Sequence, residues 1–501
     1  MMNHGEEVKN MSTKTQVKHP LIQRLAYACG IFGHSVFYVM LATYFMMFVT
    51  SNLFHSDNPS HDSYMIGFVT TVILALRIIE LFVDPFIGNI IDRTKTRWGR
   101  FNPWVLLGTV VSSVAFAILF TDMGGLTVSQ PTLYLVLFAI IYFVMDIFYS
   151  AKDVAVWSMI PALSFDSDER GIMATFAQIG AVFGAQLIAV LVMPIVLFFS
   201  ANGNNGAGDA TGWFAFACIG GGIAIVSSII LALGTHEQSS ALRENKQDTS
   251  FKNVFRVLMH NDQLLWVALA YIIFGLGQNL VNNFNLYYFV YIVGDGTKYS
   301  YLGVIDVIIG LAAVALFPAL TKKFKRRKLF FASLAIMGIS LVLYAVAGNN
   351  VMLALLAAGL FYLPQPLVFL VVLMTITDSV EYGQLKLGHR DEAVCLCIRP
   401  LCDKLFGALA SGVIGMTAIW TGMTGTATAA DITATGVFDF KLVMFALPIV
   451  LLIISGLVYR AKVTLTEEEH ARIVEKLEET WFAADENNTD NENAAVTAKE
   501  N

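Results

Sequence analysis

The chain has few charged residues for its length, and this scarcity restricts its fold class. Only 14% of its 501 residues are Asp, Glu, Lys or Arg, whereas 56% are hydrophobic. The mean hydropathy is +0.64. Soluble domains usually carry about 25% charged residues. A soluble core cannot take up so much apolar sequence, so the composition excludes an ordinary soluble protein and predicts one that crosses a membrane several times.

Cysteines and catalytic motifs are also scarce. The five cysteines lie in apolar stretches, and their odd number argues against a disulfide framework. Cys395-x-Cys397 lacks metal-type spacing, so we expect neither a metal nor another cofactor. The chain also lacks a P-loop, zinc-type histidine spacing and a nucleophile elbow. We therefore expect no enzyme, and an ion gradient rather than ATP as the driving force. No apolar segment occurs in the first 24 residues, which argues against a cleavable signal peptide.

Twelve segments are apolar enough to span a bilayer, which requires ~20 residues each. The loops between them alternate in positive charge, and segments 201–212 and 421–436 contain no Lys or Arg. The positive-inside rule places both termini in the cytoplasm of a bacterial-type cell membrane. The basic run 322–328 lies beside two spans, so we expect a topology signal and no nucleic-acid partner. The predicted spans are near 25–50, 64–91, 103–121, 132–161, 172–200, 213–234, 263–293, 299–321, 329–347, 351–379, 393–421 and 440–460.

The two halves of the chain resemble each other. Basic runs follow spans two and eight, and charged loops follow spans four and ten. This symmetry predicts an all-α membrane protein with twelve transmembrane helices in two six-helix bundles. Thr466 and Glu469 form a capping-box pattern, which predicts a helix in the tail. The predicted parts are a cytoplasmic N-terminus (1–24), two bundles (25–234 and 263–460), a middle loop (235–262) and a cytoplasmic tail with a disordered end (461–501).

Glu80 and Asp84 place two acids in an apolar segment, where each charge costs at least ~2.5–3.5 kcal/mol. With Arg77 they fall at i, i+3 and i+7, so all three share one face of a helix. Two such carboxylates cannot both stay ionised in a low dielectric without a cation or a proton. The pattern predicts a coupling-ion site. The alternative is a static salt bridge in which Arg77 neutralises one acid.

Span four carries Asp146, Ser150, Asp153 and Trp157 on one helical face. A carboxylate beside an aromatic ring is a common arrangement for holding a sugar, because the ring packs on C–H groups and the carboxylate accepts hydroxyl hydrogen bonds. We therefore predict sugar contact at Asp153 and Trp157. The alternative for Trp157 is a residue of the aromatic belt at the membrane interface.

Span eleven carries Arg399, Asp403 and Lys404. Arg399 and Asp403 are four residues apart and are expected to pair. Lys404 is then left for a carboxylate elsewhere, for which Asp153 and Asp84 are the candidates. The alternative is a purely structural salt bridge between helices.

Charged loop residues at matching positions of the two halves predict a latch that opens as the bundles move. The alternative is simple anchoring of the topology. The candidates are Asp92, Arg93, Arg97, Arg100, Asp166, Glu169, Arg170, Glu381, Arg390 and Asp391, and Arg399 and Asp403 are assigned to the same gating group.

Four motifs resemble the glycoside–pentoside–hexuronide:cation symporters, a family with the major facilitator fold. They are DPFIGNIIDRTKTRWGRFNPW, DVAVWSMIPALSFDSDER, DSVEYGQLKLGHRDEA and RPLCDKLFG, in the family's order. The likeness runs from about Arg24 to Lys476. Some members carry an additional C-terminal phosphotransferase-like domain, which we do not expect here.

The resemblance implies roles for individual residues. The cation-site acids of the family match Glu80 and Asp84, and a further ligand position falls on Ser150. The position at which the family carries an Asn cation ligand falls on Val83, whose side chain offers no oxygen. Hard cations prefer several oxygen ligands, so we expect proton rather than sodium coupling.

The sugar-binding positions of the family match only in part. They fall on Asp153, Trp157 and Lys404, and Phe369 is assigned to the same group. The family's sugar-binding Asp in span one is replaced here by Ser35, beside His34. Its sugar-binding Arg in span five is replaced by Gln178.

The resemblance implies cation-coupled symport of a sugar by alternating access, with a galactoside as the first choice and sugar exchange as a second mode. A monomer is expected from the fold. One alternative is sodium-coupled transport of another glycoside, a pentoside or a raffinose-type oligosaccharide. Others are a lysolipid or amphiphile transporter and a sugar sensor that does not transport.

Overall fold

The computed structural model describes residues 20–54, 58–163, 167–201, 207–237, 260–387, 392–425 and 427–477. Twelve long helices form this part of the chain. Eleven segments within these ranges are long and apolar enough to cross a membrane. The helices are α1 Pro20–Leu53, α2 Pro59–Arg93, α3 Asn102–Leu119, α4 Pro131–Ser158, α5 Ser167–Phe199, α6 Ala210–Gly234, α7 Asp262–Val293, α8 Ser300–Lys323, α9 Arg326–Ala347, α10 Val351–Tyr362 and Gln365–Leu387, α11 Glu392–Thr421, and α12 Ala434–Lys441 continued by Leu447–Lys462.

The helix positions follow the predicted spans. The span predicted over 351–379 occurs as one apolar segment, Val351–Lys386, but it contains an interruption that the sequence did not predict. Two helices form it, separated at Leu363 and Pro364. Pro364 and Pro366 remove two backbone donors, which prevents a continuous hydrogen-bonded helix here. A break of this kind inside a membrane leaves backbone groups that need polar partners.

Helix packing repeats between the two halves. In the first half α1 packs on α5 and α6, α4 on α2 and α3, and α3 on α6. The same pairs recur six helices later, with α7 on α11 and α12, α10 on α8 and α9, and α9 on α12. The halves meet where α2 packs on α11 and α5 packs on α8, which are equivalent pairs. The predicted pair of pseudo-symmetric six-helix bundles is therefore confirmed.

The bundles touch at the end of the molecule whose loops carry few Lys and Arg residues, with Lys298 in the turn before α8. The Tyr44 and Tyr299 hydroxyls are 3.0 Å apart, and Thr50 Oγ1 is 2.6 Å from the Tyr287 hydroxyl. The Gly425 N–H donates to Thr50 O at 2.8 Å. These contacts join α1 to α7, to the turn before α8 and to the loop after α11, so the space between the bundles is closed at this end.

The tail helix predicted from the capping box is present at 467–477. Thr466 Oγ1 accepts a hydrogen bond from the Glu469 N–H at 3.3 Å. The helix docks on the start of α9, where Glu467 Oε1 accepts from the Arg326 N–H at 2.6 Å. Its apolar face includes the buried Ile473. The predicted disordered end lies in 478–501, outside the described residues.

Close packing of α1 on α5 depends on glycine. A Cβ at Gly180 would lie 2.2 Å from the Ala28 carbonyl oxygen, a backbone atom that cannot rotate away. We expect Gly180→Val to destabilise the protein by about 1–3 kcal/mol, because an overpacked contact forces backbone shifts. Gly222→Val on α6 is the matched control, since nothing lies within 4 Å of its Cβ position. Thermal unfolding in detergent measures both, and equal losses would contradict the packing argument.

Candidate functional site between the two bundles

Lys404 of α11 crosses between the bundles and contacts acids of the first. Its Nζ lies 2.9 Å from Glu80 Oε1, donates to Asp84 Oδ2 and lies 3.9 Å from Asp153 Oδ2. The sequence predicted Asp84 or Asp153 as the partner, and the structure gives direct contact with Asp84 and adds Glu80. A single ammonium group therefore links α11 to α2 and α4. Removing it would leave Glu80 and Asp84 without the cation that contacts them both.

Glu80 and Asp84 face Lys404 because they are one helical turn apart on α2. Arg77 is buried on the same helix, but its Nε donates to the Tyr142 hydroxyl at 3.2 Å. Its described hydrogen bond therefore goes to α4 rather than to either acid. Lys404, not Arg77, is the cation that bridges the two carboxylates.

The Ser150 hydroxyl of α4 donates to Asp84 Oδ1 and so fixes the second oxygen of that carboxylate. A crevice between α2 and α4 is lined by Glu80, Ser150, the buried Asp146 and the apolar side chain of Val83. Asp146 Oδ1 has no hydrogen-bond partner among the described atoms. The crevice thus combines titratable oxygens with an apolar wall at the Val83 position.

Asp153 is the third acid near Lys404, and it pairs with a histidine of α1. His34 Nε2 is 3.1 Å from Asp153 Oδ1. The His34 ring stacks on Tyr149 at a centroid distance of 5.8 Å and meets the edge of Trp157 at 6.3 Å. Trp157 is 43% exposed, so protein atoms cover only part of its ring. A carboxylate beside an exposed indole fits the face and hydroxyl groups of a sugar.

His34 is the residue that sequence reasoning did not assign. The predicted α1 position, Ser35, is buried beside it, and the contact with Asp153 is made by His34. A histidine in an apolar span, next to the predicted position, was the available signal. Gln178, the predicted α5 contact, is exposed on its helix, and the described contacts do not join it to this cluster.

Arg399 and Asp403 pair as their spacing predicts, at 2.8 Å. Asp403 Oδ1 also accepts from the Tyr271 hydroxyl of α7 at 2.8 Å. The Arg399 guanidinium lies over the Phe369 ring of α10 at 5.3 Å. These contacts stay within the second bundle, so they do not bridge the two bundles.

The predicted latch at the basic end remains a prediction. Arg93 and Arg97 are exposed, and the Arg100 N–H donates to Glu237 Oε2 at 2.6 Å, within the first half. The side chains of Asp92 and Arg170 lie outside the described residues, as do all of Asp166, Arg390 and Asp391. The ion pairs described at this end, including Arg24–Glu169 and Arg326–Asp378, each join residues of one half.

Comparison with known proteins shows the family to which this chain belongs. Residues 26–464 match the family model described as MFS/sugar transport protein. The chain belongs to the MFS/sugar transport protein family. The predicted membership of the glycoside–pentoside–hexuronide:cation symporters is thereby confirmed, and the protein is a secondary transporter, as the chains it resembles are.

Two relatives match this transporter over nearly its full length. Lactose permease of Lactobacillus delbrueckii subsp. bulgaricus is 52% identical over 462 residues, covering 92% of this chain and 73% of that protein. Raffinose carrier protein of Pediococcus pentosaceus is 50% identical over 468 residues, covering 93% and 73%. A solved D-xylose-proton symporter superposes with a TM-score of 0.60 at 14% identity, covering 87% of this chain and 96% of that one. This last likeness shows the fold alone.

Proposed function

We propose that this transporter carries galactosides such as lactose or raffinose into the cell together with a proton. The names of the two relatives at 52% and 50% identity support the substrate class. One structural observation carries the coupling: Lys404 contacts the acids of α2 and lies 3.9 Å from Asp153 Oδ2. An ion site and a sugar site that share one cation are linked electrostatically, so occupancy of one changes the other.

A proton fits this site better than sodium. Sodium is a hard cation that prefers several oxygen ligands. Here the Lys404 ammonium already contacts Glu80 and Asp84, and Val83 supplies no oxygen. A proton on one of these carboxylates weakens its attraction to Lys404 without any further ligand. Protonation therefore loosens a link between the bundles at mid-membrane.

Alternating access then follows from charge and topology. By the positive-inside rule the end whose loops are poor in Lys and Arg is outside, both termini are cytoplasmic, and the bundles are closed at the outer side. Sugar binds near Asp153 and Trp157 while the proton neutralises the Glu80 and Asp84 pair. The discharged site then permits reorientation of the bundles. We propose that the working unit is a monomer in the cell membrane.

Asp84→Asn tests the coupling, because it keeps the side-chain shape and removes the titratable group. We expect sugar accumulation driven by a proton gradient to fall to the level without a gradient, while exchange of labelled for unlabelled sugar continues. Uptake into proteoliposomes, with imposed proton or sodium gradients, measures both activities. Asp62→Asn, at the opposite end of the same helix, is the control.

Each outcome of this experiment separates the rival functions. Sugar accumulation that follows only the sodium gradient would show that the coupling ion is sodium and not the proton. Accumulation by Asp84→Asn that still follows the proton gradient would remove Asp84 from the coupling site. Binding of sugar without uptake in the unaltered protein would indicate a sensor. Transport of lysolipid but no sugar would indicate an amphiphile carrier.

A further inference from the structure

Three carboxamide side chains meet in the second bundle, away from the charged site. Gln278 Nε2 donates to Gln365 Oε1 at 2.8 Å, and Asn282 Nδ2 donates to the same oxygen at 3.3 Å. Gln365 Nε2 donates in return to Asn282 Oδ1 at 3.3 Å. All three residues are half-buried. We call Gln278, Asn282 and Gln365 the amide cluster.

The amide cluster leaves hydrogen-bonding capacity unused. Three primary amides carry six N–H groups, and its three described hydrogen bonds use three of them. Asn285, on the same helix, differs in burial. Its Nδ2 donates to the Tyr362 hydroxyl at 2.8 Å, its Oδ1 accepts from Tyr344 at 3.0 Å, and it is fully buried. Asn285 is therefore closed off from a ligand, whereas the half-buried amide cluster keeps its remaining donors accessible.

The break in α10 places the amide cluster at a helix start. Gln365 is the first residue of the second α10 helix, directly after Leu363 and Pro364. Phe369 follows one turn later on the same face. Interrupted membrane helices at the midplane of transporters commonly mark substrate sites. Gln365 therefore places the amide cluster at an interruption of a membrane helix, one turn from an aromatic ring.

Contacts within the second bundle connect the amide cluster to Asp403, the residue before Lys404. Gln278 is seven residues, about 10 Å of helix rise, from Tyr271 on one face of α7. Tyr271 donates to Asp403, whose neighbour Lys404 reaches the acids of the first bundle. Arg399 pairs with Asp403 and lies over the Phe369 ring. Tyr271 and Phe369 therefore both lead from Asp403 and Arg399 to the amide cluster.

We propose that the amide cluster, with the Phe369 ring, is a second sugar subsite that binds the hydroxyl groups of the ring attached to the galactoside. This inference rests on the proposed function and extends it from one ring to a di- or trisaccharide. Neutral amides suit this ligand because they donate to and accept from hydroxyls without a net charge. The aromatic ring packs on the C–H face of the same sugar.

Gln278→Leu and Gln365→Leu test the subsite, with Asn279→Leu as the matched control. Asn279 is on the same helix, and its described bond is to its own Gly275 carbonyl at 3.1 Å. Dissociation constants for galactose, lactose and raffinose are measured on purified full-length protein. We expect lactose and raffinose to bind about tenfold more weakly to both cluster variants, because each loses hydrogen bonds to the second ring. Galactose affinity is expected to be unchanged.

The ratio of lactose to galactose affinity decides the outcome, because galactose lacks the second ring. Partial unfolding of a variant does not mimic the effect, since a dissociation constant does not depend on the fraction of folded protein. An unchanged ratio in both cluster variants, or the same change in Asn279→Leu, would overturn the subsite. If the unaltered protein binds none of the three sugars, the proposed function itself fails. A thermal melt of each variant verifies that the binding signal comes from folded protein.

Discussion

Lys404→Ala is expected to reduce sugar uptake by at least about 100-fold, since losing one partner of a buried ion pair costs about 3–5 kcal/mol. The variant leaves Glu80 and Asp84 one turn apart without the ammonium that contacts both. The two carboxylates then repel each other, and the link between α11 and α2 is lost. Initial rates in proteoliposomes, normalised to the reconstituted protein, measure the effect.

A double variant separates this charge effect from simple misfolding. Adding Asp84→Asn to Lys404→Ala removes one of the unpaired carboxylates, so sugar binding is expected to recover in part. Coupling to the proton gradient is not expected to recover. Lys441→Ala is the control, because Lys441 donates to the Ala345 carbonyl at 3.3 Å, in the second bundle. Near-normal uptake by Lys404→Ala would remove the shared cation from the mechanism.

Most of the fold follows from the sequence because the bilayer restricts the alternatives. Apolar length predicts the helices, and the Lys and Arg content of the loops predicts the side of the membrane on which each loop lies. The faces of α2 and α4 also follow, because 3.6 residues per turn fix which side chains share a face. The break at Pro364 was missed, since long apolar runs on both sides hide it from a count of apolar residues.

The parts of the site that were not predicted from the sequence depend on contacts between helices. The choice between Ser35 and His34 on α1 is a rotation of about 100°, and a resemblance between sequences does not fix it. The contact of Lys404 with Glu80 requires the distance between α11 and α2, which sequence spacing cannot supply. The amide cluster was overlooked because Gln278 and Gln365 carry no charge and lie about ninety positions apart in the chain.

Asp153→Ala is expected to weaken sugar affinity by about 100-fold or more, because hydrogen bonds to a charged group contribute about 1.5–3 kcal/mol each. A carboxylate accepts from two neighbouring hydroxyls, and alanine accepts from neither. The variant also leaves His34 Nε2 without its 3.1 Å partner. Equilibrium binding of lactose to the purified protein gives the affinity directly, independent of any gradient.

Two further variants make the assignment of Asp153 specific. Asp306→Asn is the control, because Asp306 is a carboxylate between α8 and α5 that accepts from Gln186. It is expected to bind lactose normally. His34→Ala should weaken binding less than Asp153→Ala, because it leaves the carboxylate in place and removes only the imidazole contact that orients it. If Asp153→Ala retains full affinity while His34→Ala loses it, the sugar contact belongs to the α1 histidine, and Asp153 serves to hold that ring.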